Sequence, residues 1–294
     1  MSTDQAVVIW GELLWDLFPD GAQLGGAPAN VAWHLGLAGG WAQLVTRVGD
    51  DDRGHEAIAR LGDLVDTSLV QIDRERATGE VEVSINEHGD ARYHLVPGRA
   101  WERIECTTDV AKTIGEAGVL VYGTLSQRTP EGLDAWRAAI RAAGRSCLRV
   151  CDLNLRPGDI GTPAIIEAID AADVLKVNDR ELAALRDWFG WSDPIAEVRS
   201  RRARIVAVTH GASGSTIYGA ATIAIPSVQA APGGDNVGCG DAYLAILVLG
   251  MTYGWDLAMS AHAASRWASA VAGRRGATPL FDDEHVARLL GEAA

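Results

Sequence analysis

The sequence predicts an α/β fold, in which helices cover both faces of a mostly parallel β-sheet and a small β-sheet is attached. After residue 100, short apolar runs alternate with helical patterns, and repeated strand–helix units of this kind build parallel sheets. Runs such as VLVYG (119–123) are apolar throughout, as in strands buried on both faces. Residues 66–100 instead alternate apolar and polar side chains around the turn HGD, which is typical of a half-exposed hairpin.

The first part of the chain predicts the start of the large sheet and a helix that follows a glycine turn. AVVIWGELLWDLF (6–18) begins as a continuous apolar run and then alternates. GGAPANVAWHLGLAGG (25–40) predicts a glycine turn, a helix with Pro28 at its first position, and a glycine stop. WAQLVTRVG (41–49) predicts a buried strand, and a helix through Leu64 follows it.

The remaining elements alternate as a parallel sheet requires. Further strands are predicted at 119–123, 147–154, 173–178, 204–211, 215–219 and 221–226. Helices are predicted at 130–143, 162–170, 179–189, 193–202, 241–253, 256–272 and 283–291.

Composition and charge exclude several classes of protein. The formal net charge of −13 argues against nucleic-acid binding, because phosphates require a basic surface. The longest apolar run, Ala242–Met251, is about half the length of a membrane-spanning helix. The N-terminus has no basic segment before its apolar run, unlike a signal peptide. The four cysteines lack metal-type spacing and indicate reduced thiols, so we expect a cytoplasmic protein with no membrane or nucleic-acid partner.

The segment GGDNVGCGDAYLAILVLG (233–250) carries the strongest indication of chemistry. Gly238 and Gly240 let successive backbone N–H groups converge, and the helix that begins near Asp241 adds its positive end. This arrangement suits a phosphate or a transferring phosphoryl group. Because a carboxylate would repel phosphate, Asp241 is a candidate base for a hydroxyl that attacks it. The alternative is that Asp241 only caps the helix.

Polar residues follow three other predicted strands. They are Asp152, Asn154 and Arg156 after one strand, Asn178 and Glu181 after the next, and Thr209 and Gly211 after a third. Each set alone has an alternative as turn or capping chemistry, but three successive sets favour a site, since ligands bind beyond the carboxyl ends of such strands. No GxxxxGK[ST] segment occurs, and no GxGxxG follows the first strand, which argues against P-loop enzymes and dinucleotide-binding dehydrogenases.

Six segments in order resemble the motifs of the ribokinase-like (PfkB) carbohydrate kinases. They are GGAPANVA (25–32), VGDDDRG (48–54), DLNLR (152–156), LKVNDREL (175–182), VTHGASG (208–214) and DNVGCGDAY (235–243). The resemblance covers essentially the whole chain and is strongest to bacterial fructokinase-type members. It implies a single catalytic domain over residues 1–294 with a three-layer α/β/α ribokinase-like fold. It also implies a β-sheet lid at approximately 12–25 and 66–100, ATP as phosphoryl donor, and Mg²⁺. Lid-to-lid homodimers are common in the family, and whether this chain forms one stays open.

The resemblance assigns catalytic roles to residues around the last motif. Asp241 matches the base that takes the proton from the sugar hydroxyl. The backbone of Gly238, Cys239 and Gly240 matches the anion hole that holds the phosphoryl group. Arg156 matches an arginine that points toward the phosphates or the sugar in some branches, and the alternative is an ion pair with a nearby acid.

The resemblance also assigns binding residues. Asp16, Gly26 and Asn30 match positions that hydrogen-bond sugar hydroxyls, and Thr209, Gly211 and Gly214 match the nucleotide-binding loop. Asn178 and Glu181 match the element that organises Mg²⁺ and the phosphates, mostly through water. Asp235 matches a K⁺ ligand of several members, but Leu280 stands where some offer Ser, so K⁺ binding stays open.

Two questions remain open from the sequence. Cys239 stands where the family usually has Ala, either as a small buried residue or as an oxidisable thiol. Fructose is the favoured substrate, with ribose, a nucleoside, 2-keto-3-deoxygluconate or a phosphosugar as alternatives. Arg92 and Arg99 are candidate ligands for the phosphate of a phosphosugar. A non-catalytic sugar or nucleotide sensor on the same fold is the alternative from another class.

Overall fold

The large sheet has nine strands in the computed structural model, which describes residues 6–19, 21–85, 91–155 and 162–291. Numbered in chain order, its strands are β1 (Val7–Trp10), β4 (Ala42–Gly49), β5 (Val70–Asp73), β8 (Val119–Tyr122), β9 (Leu148–Asp152), β10 (Val174–Asn178), β11 (Ile205–Thr209), β12 (Ser215–Tyr218) and β13 (Thr222–Ile225). Their spatial order is β13-β12-β11-β10-β9-β8-β1-β4-β5. From β11 to β5 every pairing is parallel, and β12 and β13 add an antiparallel edge. The predicted mostly parallel sheet is therefore confirmed.

Helices cover both faces of the large sheet. They are α1 (Ala27–Leu37), α2 (Asp52–Leu61), α3 (Thr108–Glu116), α4 (Pro130–Ala142), α5 (Thr162–Ala171), α6 (Asp179–Phe189), α7 (Pro194–Arg199), α8 (Cys239–Tyr253), α9 (Leu257–Ala272) and α10 (Asp283–Leu290). Along β1, Val7 and Ile9 join one hydrophobic cluster with α1, α2, α8, α9 and α10, whereas Val8 and Trp10 join a second with α3 to α7. Because alternate residues of a strand point to opposite faces, this division gives three α/β/α layers.

The small sheet has four strands and lies apart from the large one. Its strands are β2 (Leu14–Phe18), β3 (Gly21–Gly25), β6 (Gly79–Ile85) and β7 (Ala91–Leu95), in the order β3-β2-β6-β7. The pairings are antiparallel except for β2 with β6, which is parallel. These strands fall within the predicted ranges 12–25 and 66–100, and the predicted turn HGD at 88–90 lies outside the described residues.

Two elements differ from the sequence expectation. The change to alternating apolar and polar residues predicts that residues 69–73 belong to the small sheet, but β5 pairs in parallel with β4 at the edge of the large sheet. An edge strand is covered less than a central one, which explains its mixed pattern. Helix α3 was not predicted, since only Val110 and Ile114 along it are buried.

The described helices were also compared with the dimensions of a bilayer. None of them combines the length and the apolar character that crossing a membrane requires.

Candidate active site

The start of α8 lies at the carboxyl edge of the large sheet and depends on a glycine. Gly238 is the N-cap of α8 and has a left-handed backbone, with φ of 74°. A Cβ at this position would lie 2.7 Å from both Cα and Cβ of Ala277, so no other residue fits without a shift. Since Gly238 is the N-cap, Asp241 sits in the first turn of α8 and is not the capping residue.

Helix α1 brings an amide to Asp241. Asn30 donates from Nδ2 to Oδ2 of Asp241 at 2.8 Å, although the two residues are 211 positions apart in the chain. Asn30 is 5% exposed, and its Oδ1 is a buried atom with no hydrogen-bond partner among the described residues. A buried acceptor without a partner is uncommon. It leaves an oxygen beside Asp241 that a hydroxyl donor could satisfy.

The other predicted sugar ligands lie around the beginning of α1. Gly26 is the N-cap of α1 with φ of 101°, and a Cβ there would overlap the carbonyl oxygen of Glu12. A Cβ at Gly25 would overlap Oδ2 of Asp16, so the Asp16 carboxylate on β2 lies directly against this turn. The structure thus brings Asp16, Gly26, Asn30 and Asp241 into one connected region between the small sheet and α8.

A buried lysine that was assigned no role from the sequence lies behind the start of α8. Nζ of Lys176 is 3.0 and 3.1 Å from the two carboxylate oxygens of Asp152, directly across from it on β9. Burial alone would lower the pKa of Lys176, but the neighbouring Asp152, Glu181 and Asp241 carboxylates outweigh it, so the pKa is raised. Its sequence signal is a lysine inside the apolar run VLKVN, on the same strand face as Asn178.

Asn178 and Glu181 form a complete capping box at the start of α6. Oδ1 of Asn178 accepts from the backbone N–H of Glu181 at 3.0 Å, and Oε2 of Glu181 accepts from the N–H of Asn178 at 2.8 Å. Oε1 of Glu181 also accepts from the N–H of Leu155 at 3.0 Å. Burial raises the pKa of Glu181, while Lys176 acts in the opposite direction. Both residues therefore have capping roles in the structure, and Glu181 ties α6 to the segment after β9.

The predicted nucleotide loop follows β11, beside α6. Thr209 pairs in register with Asn178, so the two polar strand ends are adjacent. Gly211 and Gly214 have φ of 56° and 95°. A Cβ at Gly214 would overlap the carbonyl oxygen of Ile225, whereas one at Gly211 would meet no described atom within 4 Å. His210 contacts the Asp179 carboxylate through Nδ1 at 2.7 Å, which fixes the loop to α6.

The loop before α8 is held to the segment after α9 by Asp235. Its Oδ1 accepts from the N–H of Val237 at 3.0 Å and its Oδ2 from the N–H of Gly276 at 3.1 Å. Burial raises the pKa of the neighbouring Cys239 thiol to about 12, and the Asp235 and Asp241 carboxylates act in the same direction. A thiol that stays protonated is a weak nucleophile. This favours the interpretation of Cys239 as a small, partly buried packing residue.

Three predicted or candidate residues are not placed at the site by the described structure. Arg156 lies outside the described residues, and so does the side chain of Arg92. Arg99 forms an ion pair with Glu80, which also pairs with Arg53. Among the described residues, no group of three or more His, Cys, Asp or Glu side chains is arranged to hold a metal ion.

His34 supports this region from the protein interior. One ring nitrogen, Nε2, lies 2.8 Å from the carbonyl oxygen of Ala277, and Nδ1 accepts from Nε1 of Trp267 at 3.1 Å. These partners require the neutral tautomer with the proton on Nε2. Ala277 is also the residue packed against Gly238. A neutral imidazole thus links α1, α9 and the segment that packs on the start of α8.

We expect His34 to make stability fall in mild acid. Burial lowers its pKa to about 4 from 6.5, so the unfolded chain binds a proton that the folded protein does not. The stability is fully present above pH 6.5 and is lost as the pH falls toward 4, by roughly 3 kcal/mol in total. Urea unfolding across this pH range should show a shallower decline in His34→Gln, whose amide can keep both hydrogen bonds. Equal declines in the two proteins would contradict the assignment.

The three-layer α/β/α domain with a small sheet beside the carboxyl edge places the chain in the α/β class. The family model described as pfkB family carbohydrate kinase matches residues 21–283, and the chain belongs to this family. The fructokinase of Klebsiella pneumoniae is 27% identical over 264 residues, which cover 83% of this chain and 84% of that protein.

Solved structures show the same fold over nearly the whole chain. The structure of fructokinase from Xylella fastidiosa with bound ATP has a TM-score of 0.86 at 21% identity and covers 97% of this chain and 98% of that one. The fructokinase from Vibrio cholerae O395, with fructose, ADP and calcium ion bound, has a TM-score of 0.82 at 22% identity and covers 99% of this chain and 100% of that one.

Proposed function

We propose that this carbohydrate kinase transfers the γ-phosphate of ATP to a primary hydroxyl of fructose, with Asp241 as general base. The observation that carries the proposal is the placement of Asp241. Its carboxylate lies in the first turn of α8, at the positive end of the helix, and accepts a hydrogen bond from Asn30 at 2.8 Å. A carboxylate at a phosphate-binding helix end can serve as the base, because the attacking hydroxyl must lose its proton.

The proposed reaction is a single displacement at phosphorus. The sugar hydroxyl gives its proton to the Asp241 carboxylate while its oxygen attacks the γ-phosphorus. The bond between that phosphorus and the bridging oxygen breaks, and ADP leaves with the electron pair. Because little covalent chemistry falls to the protein, positioning and charge stabilisation supply most of the catalysis. Asn30 holds the Asp241 carboxylate in place and offers its free Oδ1 to the sugar.

The beginning of α8 is the proposed anion hole. Its first N–H groups, at Cys239 and Gly240, have no earlier helical carbonyl to bond, as at the start of any helix. The left-handed backbone of Gly238 turns the chain into the helix at this point, as in other backbone sites for anions. Backbone donors do not depend on the side chain, so a cysteine at 239 is compatible with this role.

The donor set suits a Mg²⁺ ion held mainly by the nucleotide phosphates and water. Mg²⁺ keeps several waters in such sites and takes few direct carboxylate ligands, and the described residues offer no cluster of direct ligands. When bound, the ion would neutralise charge on the phosphates. Asn178 and Glu181 would orient its waters, and Thr209, Gly211 and Gly214 would line the nucleotide. Asp235 already holds two backbone N–H groups, so a K⁺ site there would share that carboxylate.

Contacts of the small sheet favour an uncharged sugar over a phosphosugar. Asp16 on β2 faces the turn that begins α1, where it can accept from sugar hydroxyls. Arg99 is paired with Glu80, whose carboxylate would compete with a substrate phosphate for the guanidinium. The small sheet would act as a lid that covers the sugar and excludes water. The fructokinase relatives favour fructose within this class.

The proposal predicts a specific order of substrates in an ADP-release assay. Fructose, ribose, a nucleoside, 2-keto-3-deoxygluconate and fructose 6-phosphate are compared with ATP and Mg²⁺, with and without K⁺. We expect fructose to give the highest kcat/KM, with the phosphosugar at least about tenfold lower because its charge lacks a free partner. A preference for another sugar would overturn the substrate assignment. Binding of sugar and ATP without ADP formation would identify a sensor instead.

A further inference from the structure

Lys176 is one of only two lysines in the chain, and it is buried at the carboxyl edge of the sheet. Lys176 is 5% exposed and its partner Asp152 is 3% exposed. A buried ion pair is weak evidence for a stabilising role, because apolar residues of similar volume often serve as well. Stability alone therefore does not account for a buried ion pair at this position.

The ammonium group lies against the start of α8. A Cβ built on Gly240 would be 2.8 Å from Nζ of Lys176, with no atom of Asp152 within 4 Å. Gly240 thus leaves the space that the ammonium occupies. Lys176 contacts the helix end from β10, next to the residue that precedes Asp241. Of the two members of the pair, the cation is the one in contact with the proposed phosphoryl site.

The charges around Asp241 come from several elements. Lys176 on β10 carries a positive charge, and Asp152 and Glu181 interact with it from β9 and α6. Asp235 precedes α8 and Asp16 lies in the same connected region, while Arg274 and Arg275 belong to the segment after α9 that is bonded to the loop before α8. Asn30 on α1 is neutral, Cys239 stays protonated, and Arg156 lies outside the described residues. Carboxylates therefore outnumber cations in this described part of the site. An ammonium held beside Asp241 offsets the repulsion that would otherwise oppose its ionisation.

We propose that Lys176 is a positioning residue of the phosphoryl-transfer site: Asp152 holds its ammonium against Gly240, where its charge keeps the neighbouring Asp241 carboxylate ionised. The role rests on the proposed function of Asp241 as the base. This role differs from that of a structural ion pair, because the ammonium acts on the protonation of Asp241 and not only on folding.

The experiment removes the charge while sparing the fold. Lys176→Met alone leaves a buried carboxylate without a partner, so the main variant is Asp152→Leu/Lys176→Met, in which both charges are replaced by apolar groups. Gly240→Ala is a second route, because its methyl group would move the ammonium away and leave both charges in place. Lys112→Met, which changes the other and exposed lysine, is the matched control.

The readout is the titration of Asp241 itself. Carboxyl ¹³C shifts of aspartate-labelled protein without ligands are followed against pH, and Asp241→Asn assigns the signal. We expect the Asp241 titration to move up by about one pH unit or more in the double variant, and upward in Gly240→Ala. It should stay unchanged in Lys112→Met. The acid limb of kcat/KM, which reports the free enzyme, should move by the same amount as the titration.

The results separate this proposal from the proposed function. A folded double variant whose Asp241 titration and acid limb match the wild type would overturn it and leave Lys176 as a structural partner of Asp152. If the double variant does not fold, an unmoved titration in Gly240→Ala has the same meaning. If no sugar supports ADP release, the kinase assignment fails, while the titration in the ligand-free protein still decides the role of Lys176.

Discussion

Asp241→Asn is expected to lower kcat by about 10²–10⁴-fold, the usual contribution of a general base. The asparagine keeps the size of the side chain, and its amide oxygen can still accept from Asn30, so the fold should persist. It cannot take a proton from the sugar hydroxyl. ATP affinity should not fall, since the variant removes a negative charge near the phosphates and no donor. Steady-state kinetics with fructose and calorimetric titration with ATP measure the two effects.

Asp283→Asn is the matched control for this substitution. Asp283 is also an aspartate in the first turn of a helix, α10, but it is exposed and lies in none of the motifs assigned to the site. Any loss through the helix dipole should therefore appear in both variants, and it should be small. Near-normal turnover in Asp241→Asn would show that Asp241 is not the base.

Gly238→Ala should damage both stability and turnover. The left-handed backbone alone costs an alanine about 1–2 kcal/mol, and the new methyl group would lie 2.7 Å from Ala277. Relief of that overlap must shift the start of α8, whose N–H groups form the proposed anion hole. Because the loss of one such donor typically costs about 10²–10³-fold in kcat, we expect a fall of roughly 100-fold. Thermal unfolding and kcat are measured on the same sample.

Gly190→Ala separates backbone strain from the contact with Ala277. Gly190 has φ of 68°, close to the 74° of Gly238, but a Cβ there meets no described atom within 4 Å. It ends α6 away from the start of α8. Its alanine variant should lose only the backbone contribution to stability and keep the wild-type kcat. Equal losses of kcat in the two variants would argue against the anion hole.

The fold was largely predictable where local patterns and burial agree. The predicted helix at 179–189 is α6, because Asn178 and Glu181 supply a capping box and Gly190 supplies a left-handed stop. Strand β5 was misplaced, since its choice of sheet depends on pairing with β4, far along the chain, and not on its own alternation. Sequence patterns record which residues are buried, but not which strand lies beside them.

The candidate site was predictable where the backbone demands a particular residue. Glycines at 26, 214 and 238 have positive φ and close neighbours, so their positions carry a strong signal. The contact of Asn30 with Asp241 could be expected only through the resemblance, because it joins two distant helices. The contacts of Lys176 carry no local signal, because Asp152 and Gly240 lie on other elements, and the ion pair of Arg99 with Glu80 also joins separate elements.

The small sheet has a core of its own that is very slight. Only Leu14 and Val81 form its buried cluster, with Phe18 and Leu95 packed at the side, among the residues that the structure describes. Trp15 and Leu24 tie β2 and β3 to the main hydrophobic cluster. Local stability follows the amount of apolar surface that a unit buries, so β6 and β7 are the part of this sheet that opens most readily. A sugar held beneath it would add binding free energy to the closed form alone. If the small sheet is the lid of the proposed kinase, the slight core of its outer strands would let occupancy by the sugar shift the balance between an open and a closed form.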